Sequence, residues 1–255
     1  MIIVCLKGGL GNQMFQIAFA HSIAKKLGVE YRISTENWHC GQGSHPSKYF
    51  KNIFKNILFI SSPILCNKLL EKQIEHYSII DDIRTELLRD NIIKIDGYFQ
   101  SEKYFYNYDI KSLFDLDHSY IYSLYPELII DGDRTFVGIR RGDYLPHAET
   151  HLPCNMDYFK KSMEYLASEK YYLMSDDMNW VKENFVGPQY IYLDIEDDLQ
   201  ALYAITLFSK YIISNSTFHW WGSYLSIYKD PVIIAPSKWA SFKTSICRDA
   251  FLILK

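Results

Sequence analysis

The chain has 255 residues, of which 48% are hydrophobic and 22% are charged, and its formal net charge at pH 7 is −3. This length is enough for one large domain or two smaller ones, each with its own apolar core. Because nucleic-acid binding favours a basic surface, this charge balance excludes nucleic acid as the expected partner.

The cysteines and the hydropathy pattern indicate the compartment. Five cysteines are scattered along the chain without a C-x-x-C pair, which suits free thiols in a reducing compartment better than a disulfide framework. The sequence has no apolar stretch of about 20 residues, so no membrane span is predicted. We expect a cytoplasmic protein, and leave open its proximity to the inner-membrane surface and its oligomeric state.

The first residues predict a strand, a glycine-rich turn and a helix. Residues 2–6 form an apolar run, the sequence G-G-L-G follows, and residues 12–27 carry apolar side chains at helical spacing. With a second strand predicted at 31–34, this is a βαβ opening. Met14 stands where the pattern G-x-G-x-x-G has its third glycine, so we interpret the glycines as a tight turn rather than a dinucleotide site.

The middle of the chain predicts fewer regular elements. Residues 36–56 indicate a loop with a short helix, and residues 92–105 predict a strand, a turn and a helix. A proline and the turn sequence D-G-D occur within 115–134, where we place a domain boundary. The predicted domains are therefore 1–130 and 131–255.

The second half alternates strands and helices. Apolar runs separated by helical segments are typical of a parallel sheet covered by helices. The predicted strands are 136–139, 171–174, 190–193, 211–213 and 231–234, and the predicted helices are 156–167, 178–185, 198–209 and 218–228. Ligands of such sheets bind beyond the carboxyl ends of the strands, so the residues after each strand form the candidate site.

The first of these strands ends in the sequence R-R-G-D-Y. Arg140 and Arg141 offer planar guanidinium groups suited to phosphate oxygens, and Asp143 can orient one of them. Gly142 allows the backbone to approach a ligand closely. A surface ion pair is the alternative interpretation.

Acidic and hydroxyl side chains follow the next two strands. Ser175, Asp176 and Asp177 either cap the following helix or accept hydrogen bonds from a ribose or a guanine. One of Asp197 and Asp198 is expected to cap the next helix, and the other is structural or faces a ligand.

The sequence S-N-S-T-F follows the fourth strand and precedes a helix. A helix N-terminus with hydroxyl groups and free N–H groups binds anions, and helix capping is the alternative role of Ser216 and Thr217. Two anion-binding devices at strand ends suit a nucleoside diphosphate held without a metal. The sequence has neither a P-loop nor a Cys/His metal-ligand spacing, and we do not expect the pair His147 and His151 to bind a metal.

Five motifs in order resemble the bacterial α-1,2-fucosyltransferases of glycosyltransferase family 11. They are G-G-L-G-N-Q-M-F-Q-I-A-F-A (8–20), G-Y-F-Q-S-E-K-Y-F (97–105), I-R-R-G-D-Y (139–144), S-D-D (175–177) and S-N-S-T-F-H-W-W-G (214–222). The third motif resembles H-x-R-R-G-D-Y, which wider fucosyltransferase groups share, but Gly138 stands where that motif has its histidine. Each motif alone is weak, and together they are specific.

The resemblance implies a GT-B-type α/β glycosyltransferase with two Rossmann-like domains facing a cleft. The first domain would be on the acceptor side, and the second would bind GDP-fucose. The implied reaction is an inverting transfer of L-fucose to the 2-hydroxyl of a galactose-containing acceptor in surface-polysaccharide (O-antigen) synthesis. The resemblance implies no metal and no other cofactor.

The resemblance also implies roles for individual residues. Arg140 would contact the β-phosphate of GDP and act in catalysis, with Asp143 and Asn12 as further catalytic candidates. Asn12 and Gln13 are expected in the N-terminal glycine-rich loop, facing the cleft. The remaining donor-binding candidates are Gly11, Gln13, Arg141, Ser175, Asp176, Asp177, Asp198, Asn215, Ser216, Thr217 and Phe218.

Two alternatives remain open at this point. Motifs that hold GDP would look the same in a transferase that uses another GDP-sugar. The 21 tyrosines and 15 phenylalanines, together with Gly138 in place of a histidine, would also fit a carbohydrate- or nucleotide-binding protein without catalysis.

Overall fold

The computed structural model divides the chain into two compact units, Met1–Leu116 and Asp117–Lys255. It describes residues 1–36, 38, 43–60, 66–70, 79–114, 116–129, 132–242, 244 and 246–254. Part of the loop predicted at 36–56 lies outside these described residues.

Among the described residues, the first unit is a parallel four-stranded sheet with helices between its strands. Its elements are β1 (Ile2–Cys5), α1 (Leu10–Leu27), β2 (Tyr31–Ser34), β3 (Lys68–Leu70), α2 (Ile79–Asp90) and β4 (Ile93–Asp96), in the sheet order β2-β1-β4-β3. Strand β1 is fully buried because it has a neighbour on each side: Ile2 lies opposite Tyr31 of β2 and Ile93 of β4. The predicted βαβ opening is confirmed.

Helix α1 is bounded by two glycines. Gly9 precedes its first residue with an extended backbone, so the helix begins at Leu10, slightly earlier than predicted. Gly28 follows its last residue with φ of 65°, the left-handed conformation that glycine adopts without strain, and Lys25 and Lys26 lie in the last turn. The predicted end of the helix is therefore confirmed.

The motif that follows β4 packs against α1. Its residues Glu102–Tyr104 form a short 3-10 turn, where the sequence predicted a helix. The Phe99 ring stacks on the Phe19 ring with centroids 3.8 Å apart, and the Tyr104 ring meets Phe19 edge-on at 5.2 Å. The two N-terminal motifs of the sequence thus meet in one packed layer.

The second unit is a larger parallel sheet. Its helices are α3 (His118–Leu124), α4 (Ala148–His151), α5 (Met156–Tyr165), α6 (Met178–Asn184), α7 (Asp198–Ile205) and α8 (Thr217–Tyr224). Its strands are β5 (Arg134–Ile139), β6 (Lys170–Ser175), β7 (Tyr190–Tyr192), β8 (Lys210–Ile213), β9 (Val232–Pro236) and β10 (Leu252–Leu254). The five predicted strands correspond to β5 to β9, while β10, α3 and α4 were not predicted.

The boundary between the units falls at 116/117, whereas the sequence placed it at 130/131. The difference arises because α3 belongs to the second unit. His118 Nε2 lies 2.8 Å from Thr206 Oγ1, and the Tyr125 hydroxyl donates to Gln200 Oε1 at 3.2 Å, so both ends of α3 are bonded to the region of α7. The proline and the D-G-D turn that resembled a linker lie inside this unit.

The strand order of the second unit positions the candidate site. The order is β10-β9-β8-β5-β6-β7. Strand β5 is buried along its whole length and lies between β8 and β6, with Gly138 opposite Ile213 on one side and Met174 on the other. The R-R-G-D, S-D-D and S-N-S-T segments therefore leave three adjacent strands at the same edge of the sheet.

The aromatic residues of this unit mainly build its core. Trp220 and Trp221 are fully buried, as are Phe136 and Phe208, which agrees with the interpretation of the tryptophans as core residues. In the parts of the chain that the structure describes, no helix combines the length and the apolar character that crossing a bilayer requires.

Candidate active site

Asp176 is the residue around which the R-R-G-D turn folds. Its Oδ1 accepts a hydrogen bond from the Arg141 amide at 2.9 Å, and its Oδ2 accepts one from the Asp143 amide at 3.3 Å. A Cβ on Gly142 would lie 3.2 Å from Asp176 Oδ2, which is closer than an ordinary contact, so glycine leaves room for this carboxylate. Asp176 therefore binds the amides of the turn, and its place near a guanosine stays a prediction.

The charge of Asp176 is stabilised by these contacts. Burial alone would raise the pKa of Asp176, but the backbone hydrogen bond of Arg141, the charge of Arg140 and the amides of Gly142 and Asp143 together hold the pKa below its ordinary value of 3.8. The carboxylate is therefore ionised throughout the neutral range, and it fixes the backbone of the turn.

Arg140 is held by carboxylates at two of its nitrogens. Its Nε lies 3.3 Å from Asp176 Oδ2, and its terminal nitrogen Nη2 bonds to Asp143 Oδ2. The guanidinium also lies over the Tyr144 ring at 5.6 Å, and the side chain is 35% exposed. A guanidinium that is oriented in this way and still accessible can bind a phosphate.

Arg141 points to a different partner. Its Nε donates to Asp177 Oδ2 at 3.1 Å, and its guanidinium lies 4.3 Å from the centre of the Trp180 ring. Asp177 also caps α6 by accepting from the Trp180 amide at 3.2 Å, and its own amide donates to Ser175 Oγ at 3.0 Å. The capping role predicted for this segment is confirmed for Asp177, which pairs with Arg141 as well.

Helix α8 follows β8 after a short segment, whose first residue, Ser214, accepts a hydrogen bond from the Arg140 amide at 2.9 Å. Ser216 is its N-cap residue, and the Ser216 side chain makes no capping hydrogen bond to the amides of the first turn. Thr217 and Phe218 are half-buried in the first turn. The first N–H groups of a helix have no partner within that helix, so this end of α8 offers donors to an anion.

The Asn215 side chain connects three separate segments of the second unit. It is buried, and its Nδ2 donates to the carbonyl of His151 and, at 2.9 Å, to the carbonyl of Trp239. Its Oδ1 accepts from Cys154 Sγ at 3.8 Å. These bonds engage both ends of the amide and give Asn215 a structural role, while its contact with the donor stays a prediction.

Of the two acids before α7, Asp197 is the cap. Its Oδ1 accepts from the amides of Leu199 and Gln200 at 3.0 and 2.9 Å. Asp198 is the first residue of α7 and is half-buried. The sequence left open which of the two aspartates caps α7, and the structure identifies Asp197 as the cap.

The pair His147 and His151 is used in ring packing. The His151 ring stacks on the Tyr144 ring with centroids 4.4 Å apart, and the two histidine rings are 6.2 Å apart. Within the described residues, no group of three or more His, Cys, Asp or Glu side chains is placed to hold a metal ion.

The candidates of the first unit form a separate cluster at the start of α1. Asn12 and Gln13 lie in the first turn of the helix, not in a loop, and Gly11 is buried beside them. Asn12 Oδ1 accepts from Gln100 Nε2 at 2.8 Å, which links the two N-terminal motifs. Gln13 is fully buried and its Nε2 donates to the carbonyls of Gly8 and Ser44 at 3.0 and 3.1 Å. Gln13 thus stabilises the glycine turn from inside, and its role in donor binding stays a prediction.

Sequence reasoning did not assign a role to Ser214 or His219. The Arg140 amide donates to Ser214 Oγ at 2.9 Å, and that hydroxyl lies 3.2 Å from His219 Nδ1. Burial, followed by the charge of Arg140, lowers the pKa of His219 to about 3, so its imidazole is neutral at pH 7. The signal that could have indicated this pair is the glycine at 138, where the resembled motif has its histidine.

Known proteins resemble this chain over nearly its full length. Among curated proteins, the O-antigen biosynthesis glycosyltransferase WbnK of Escherichia coli is 26% identical, with 98% of this chain and 99% of the relative covered. The alpha-1,2-colitosyltransferase of Escherichia coli is also 26% identical, with 94% of this chain and 92% of the relative covered.

Solved structures share the fold at low sequence identity. The NodZ alpha-1,6-fucosyltransferase co-crystallised with GDP matches with a TM-score of 0.56 and 16% identity, covering 88% of this chain and 92% of its own. The fucosyltransferase NodZ from Bradyrhizobium matches with a TM-score of 0.55 and 17% identity over the same shares. These neighbours confirm the predicted GT-B-type α/β fold class.

The family comparison covers both units. The family model described as Glycosyl transferase family 11 matches residues 1–253, so the match includes the glycine turn, the R-R-G-D turn and the start of α8. The chain is a glycosyltransferase, and it belongs to glycosyl transferase family 11.

Proposed function

We propose that this glycosyltransferase moves L-fucose from GDP-fucose to the 2-hydroxyl of a galactose-containing acceptor in O-antigen synthesis, with inversion at the anomeric carbon. The observation that carries the proposal is the Arg140 guanidinium, which Asp143 and Asp176 orient and which keeps 35% exposure. The names of two similar proteins, an O-antigen biosynthesis glycosyltransferase and an alpha-1,6-fucosyltransferase co-crystallised with GDP, support this substrate class.

The diphosphate of the donor would bind across the ends of β5 and β8. Arg140 would contact the β-phosphate, and the hydroxyl and N–H groups at Ser216 and Thr217 would contact the phosphate oxygens. Arg141, Asp177 and Asp198 would lie near the guanosine, where Arg141 and Asp177 form an ion pair with each other. Preorganised donors of this kind stabilise negative charge without having to reorganise during the reaction.

The transfer needs charge stabilisation at one end and a nucleophile at the other. The bond between the anomeric carbon and the β-phosphate oxygen breaks, the phosphate takes the electron pair, and Arg140 and the start of α8 stabilise it. The acceptor oxygen attacks the oxocarbenium-like sugar from the opposite face and loses its proton to a base. No metal and no further cofactor enter this proposal.

Asp143 is the acid of the turn that is closest to Arg140, and its candidacy as the base is limited by that pairing. Its side chain is 57% exposed, and its Oδ2 is bonded to Arg140. We therefore propose orientation of Arg140 as its main role. The first unit would bind the acceptor, with Asn12 of α1 as the polar residue that we expect to act in transfer.

A second candidate function is transfer of a different sugar from its GDP-linked form. It is favoured by the alpha-1,2-colitosyltransferase, which is as similar in sequence as the O-antigen relative. A panel of nucleotide sugars, with GDP release as the readout, separates the two candidates, because a fucosyltransferase releases GDP from GDP-fucose at the highest rate. A binding protein without catalysis would release none.

The proposal is tested by Arg140→Ala in a GDP-release assay with GDP-fucose and a set of galactosides, with product linkages read by NMR. Loss of one charge-stabilising contact typically costs about 10²–10³-fold in turnover, so we expect a loss of that size. Arg89→Ala is the matched control, because this arginine is exposed and pairs only with Glu86 among the described residues. Turnover that survives in Arg140→Ala contradicts the assignment, and a linkage other than 1,2 contradicts the proposed product.

A further inference from the structure

The imidazole of His219 occupies the space in which a side chain at position 138 would lie. Gly138 is the next-to-last residue of β5, and a Cβ added to it would be 2.6 Å from both Cγ and Nδ1 of His219. Real Cβ atoms do not approach other atoms so closely, and the His219 side chain is buried with the Phe136 ring 5.8 Å away, so it has little room to move. The imidazole at position 219 therefore fits in its place only because residue 138 is a glycine.

Two features of the sequence become connected by this contact. The R-R-G-D-Y turn resembles a motif that begins with a histidine two residues before the first arginine, and this chain has Gly138 there. A histidine that comes from α8 instead lies directly against Gly138. The chain thus keeps an imidazole beneath the turn, although it is supplied by a different element.

We propose that His219 is a positioning residue that replaces the missing motif histidine and holds Arg140 in place through Ser214. The expected effect on GDP binding rests on the proposed function of Arg140. The hydrogen bonds that connect Arg140, Ser214 and His219 do not depend on that proposal. The Arg140 amide donates to Ser214 Oγ at 2.9 Å, and Ser214 Oγ lies 3.2 Å from His219 Nδ1.

The direction of these two hydrogen bonds follows from which groups can donate a proton. Ser214 accepts from the Arg140 amide, so its own proton is free to go to His219 Nδ1, which accepts it when the imidazole is neutral. Burial and the nearby Arg140 charge lower the pKa of His219 to about 3, which keeps the imidazole neutral at working pH. Hydrogen bonds in such a row reinforce one another in a low-dielectric interior.

A matched pair of variants separates hydrogen bonding from packing. His219→Asn keeps a polar atom near the position of Nδ1 but loses volume, whereas His219→Leu keeps most of the volume and loses the polar atom. Hydrogen–deuterium exchange of the peptide that contains residues 139–143 and calorimetric GDP affinity are measured for both. We expect exchange at least tenfold faster in the leucine variant and GDP binding about five- to tenfold weaker, with the asparagine variant close to the parent in both.

The outcomes distinguish this proposal from the proposed function. If the leucine variant exchanges as slowly as the parent, or if the asparagine variant exchanges as fast as the leucine variant, His219 is a packing residue and the inference is wrong. If exchange rises in the leucine variant while GDP affinity is unchanged, the positioning role stands and the assignment of Arg140 to the phosphates fails.

Moving the histidine from position 219 to position 138 gives a second test, which does not depend on a ligand. Gly138→His should lower the melting temperature strongly because of the clash with His219, and His219→Ala should lower it by leaving a cavity. The double variant Gly138→His/His219→Ala should melt at a higher temperature than Gly138→His alone, because contacting residues are not additive. A double variant that shows the sum of the two losses overturns the idea of a shared imidazole site.

Discussion

Replacing Asp176 with asparagine should destabilise the second unit and weaken transfer together. An asparagine has one acceptor oxygen in place of two, so it can keep the hydrogen bond from the Arg141 amide but would direct its NH₂ group at the Asp143 amide and at Arg140 Nε. A hydrogen bond that involves a charged group contributes about 1.5–3 kcal/mol. The Asp176 side chain retains 20% exposure, so the lower part of that range applies and we expect a loss of about 2 kcal/mol.

Thermal unfolding measures this loss directly. For a unit of this size, 1 kcal/mol corresponds to about 3–4 °C, so the melting temperature should fall by roughly 6–8 °C at pH 7. Asp194→Asn is the matched control, because Asp194 is 59% exposed and pairs with Lys182 at the surface. The control should change the free energy of unfolding by less than about 0.5 kcal/mol.

The pH dependence of the lost stability tests whether it comes from the ionised carboxylate of Asp176. The pKa of Asp176 is lower in the folded protein than its ordinary value of 3.8, so the folded state is stabilised above that pH and the stabilisation disappears as the pH falls below it. The difference between the parent and Asp176→Asn should therefore be constant from pH 6 to 8 and shrink below about pH 4. A difference that is absent at pH 7, or that is equally large at pH 3, would refute this account of the turn.

The remaining predictions concern contacts elsewhere in the two units. Gly222→Ala should destabilise the second unit by about 1–3 kcal/mol, because its Cβ would lie 2.7 Å from the Cβ of buried Ile205 on α7, and adding Ile205→Ala should recover part of the loss in thermal unfolding. Asn12→Ala should reduce transfer with unchanged calorimetric affinity for GDP, because Asn12 lies in the first unit and bonds to Gln100; weakened GDP binding would contradict this division of roles.

Strands β5 to β9 of the second unit could be predicted because each contains a short apolar run, whereas β10 was missed. Strand β5, at Arg134–Ile139, is buried along its whole length, and its pattern already indicated a central strand. Strand β3, at Lys68–Leu70, was missed because its three residues are exposed or only half-buried and carry no such pattern. The helix predicted after β4 shortened to a 3-10 turn because its aromatic residues pack on Phe19 instead of following a helical face.

The candidate site was predictable as a set of segments but not as a set of contacts. That the ends of parallel strands lie at one edge follows from the alternation of strands and helices, whereas the order β8-β5-β6 is set by tertiary packing that a single sequence does not express. Asp176 and Asp177 look equivalent in the sequence, yet one binds the amides of the turn and the other caps α6. The bonds of the Asn215 side chain could not be read from the sequence, because its partners His151, Leu152, Trp239 and Cys154 are distant in the chain.

Gly138 and His219 show why such contacts limit reasoning from the sequence. Taken alone, Gly138 looks like the loss of a motif residue, and it left open a binding protein without catalysis. Taken alone, His219 looks like a buried core histidine among tryptophans. The distance between the imidazole and the position of a Cβ on Gly138 connects the two, because neither residue can be enlarged or removed without affecting the other. The departure from the motif is therefore no argument against catalysis, since the imidazole that it removes from β5 is present on α8.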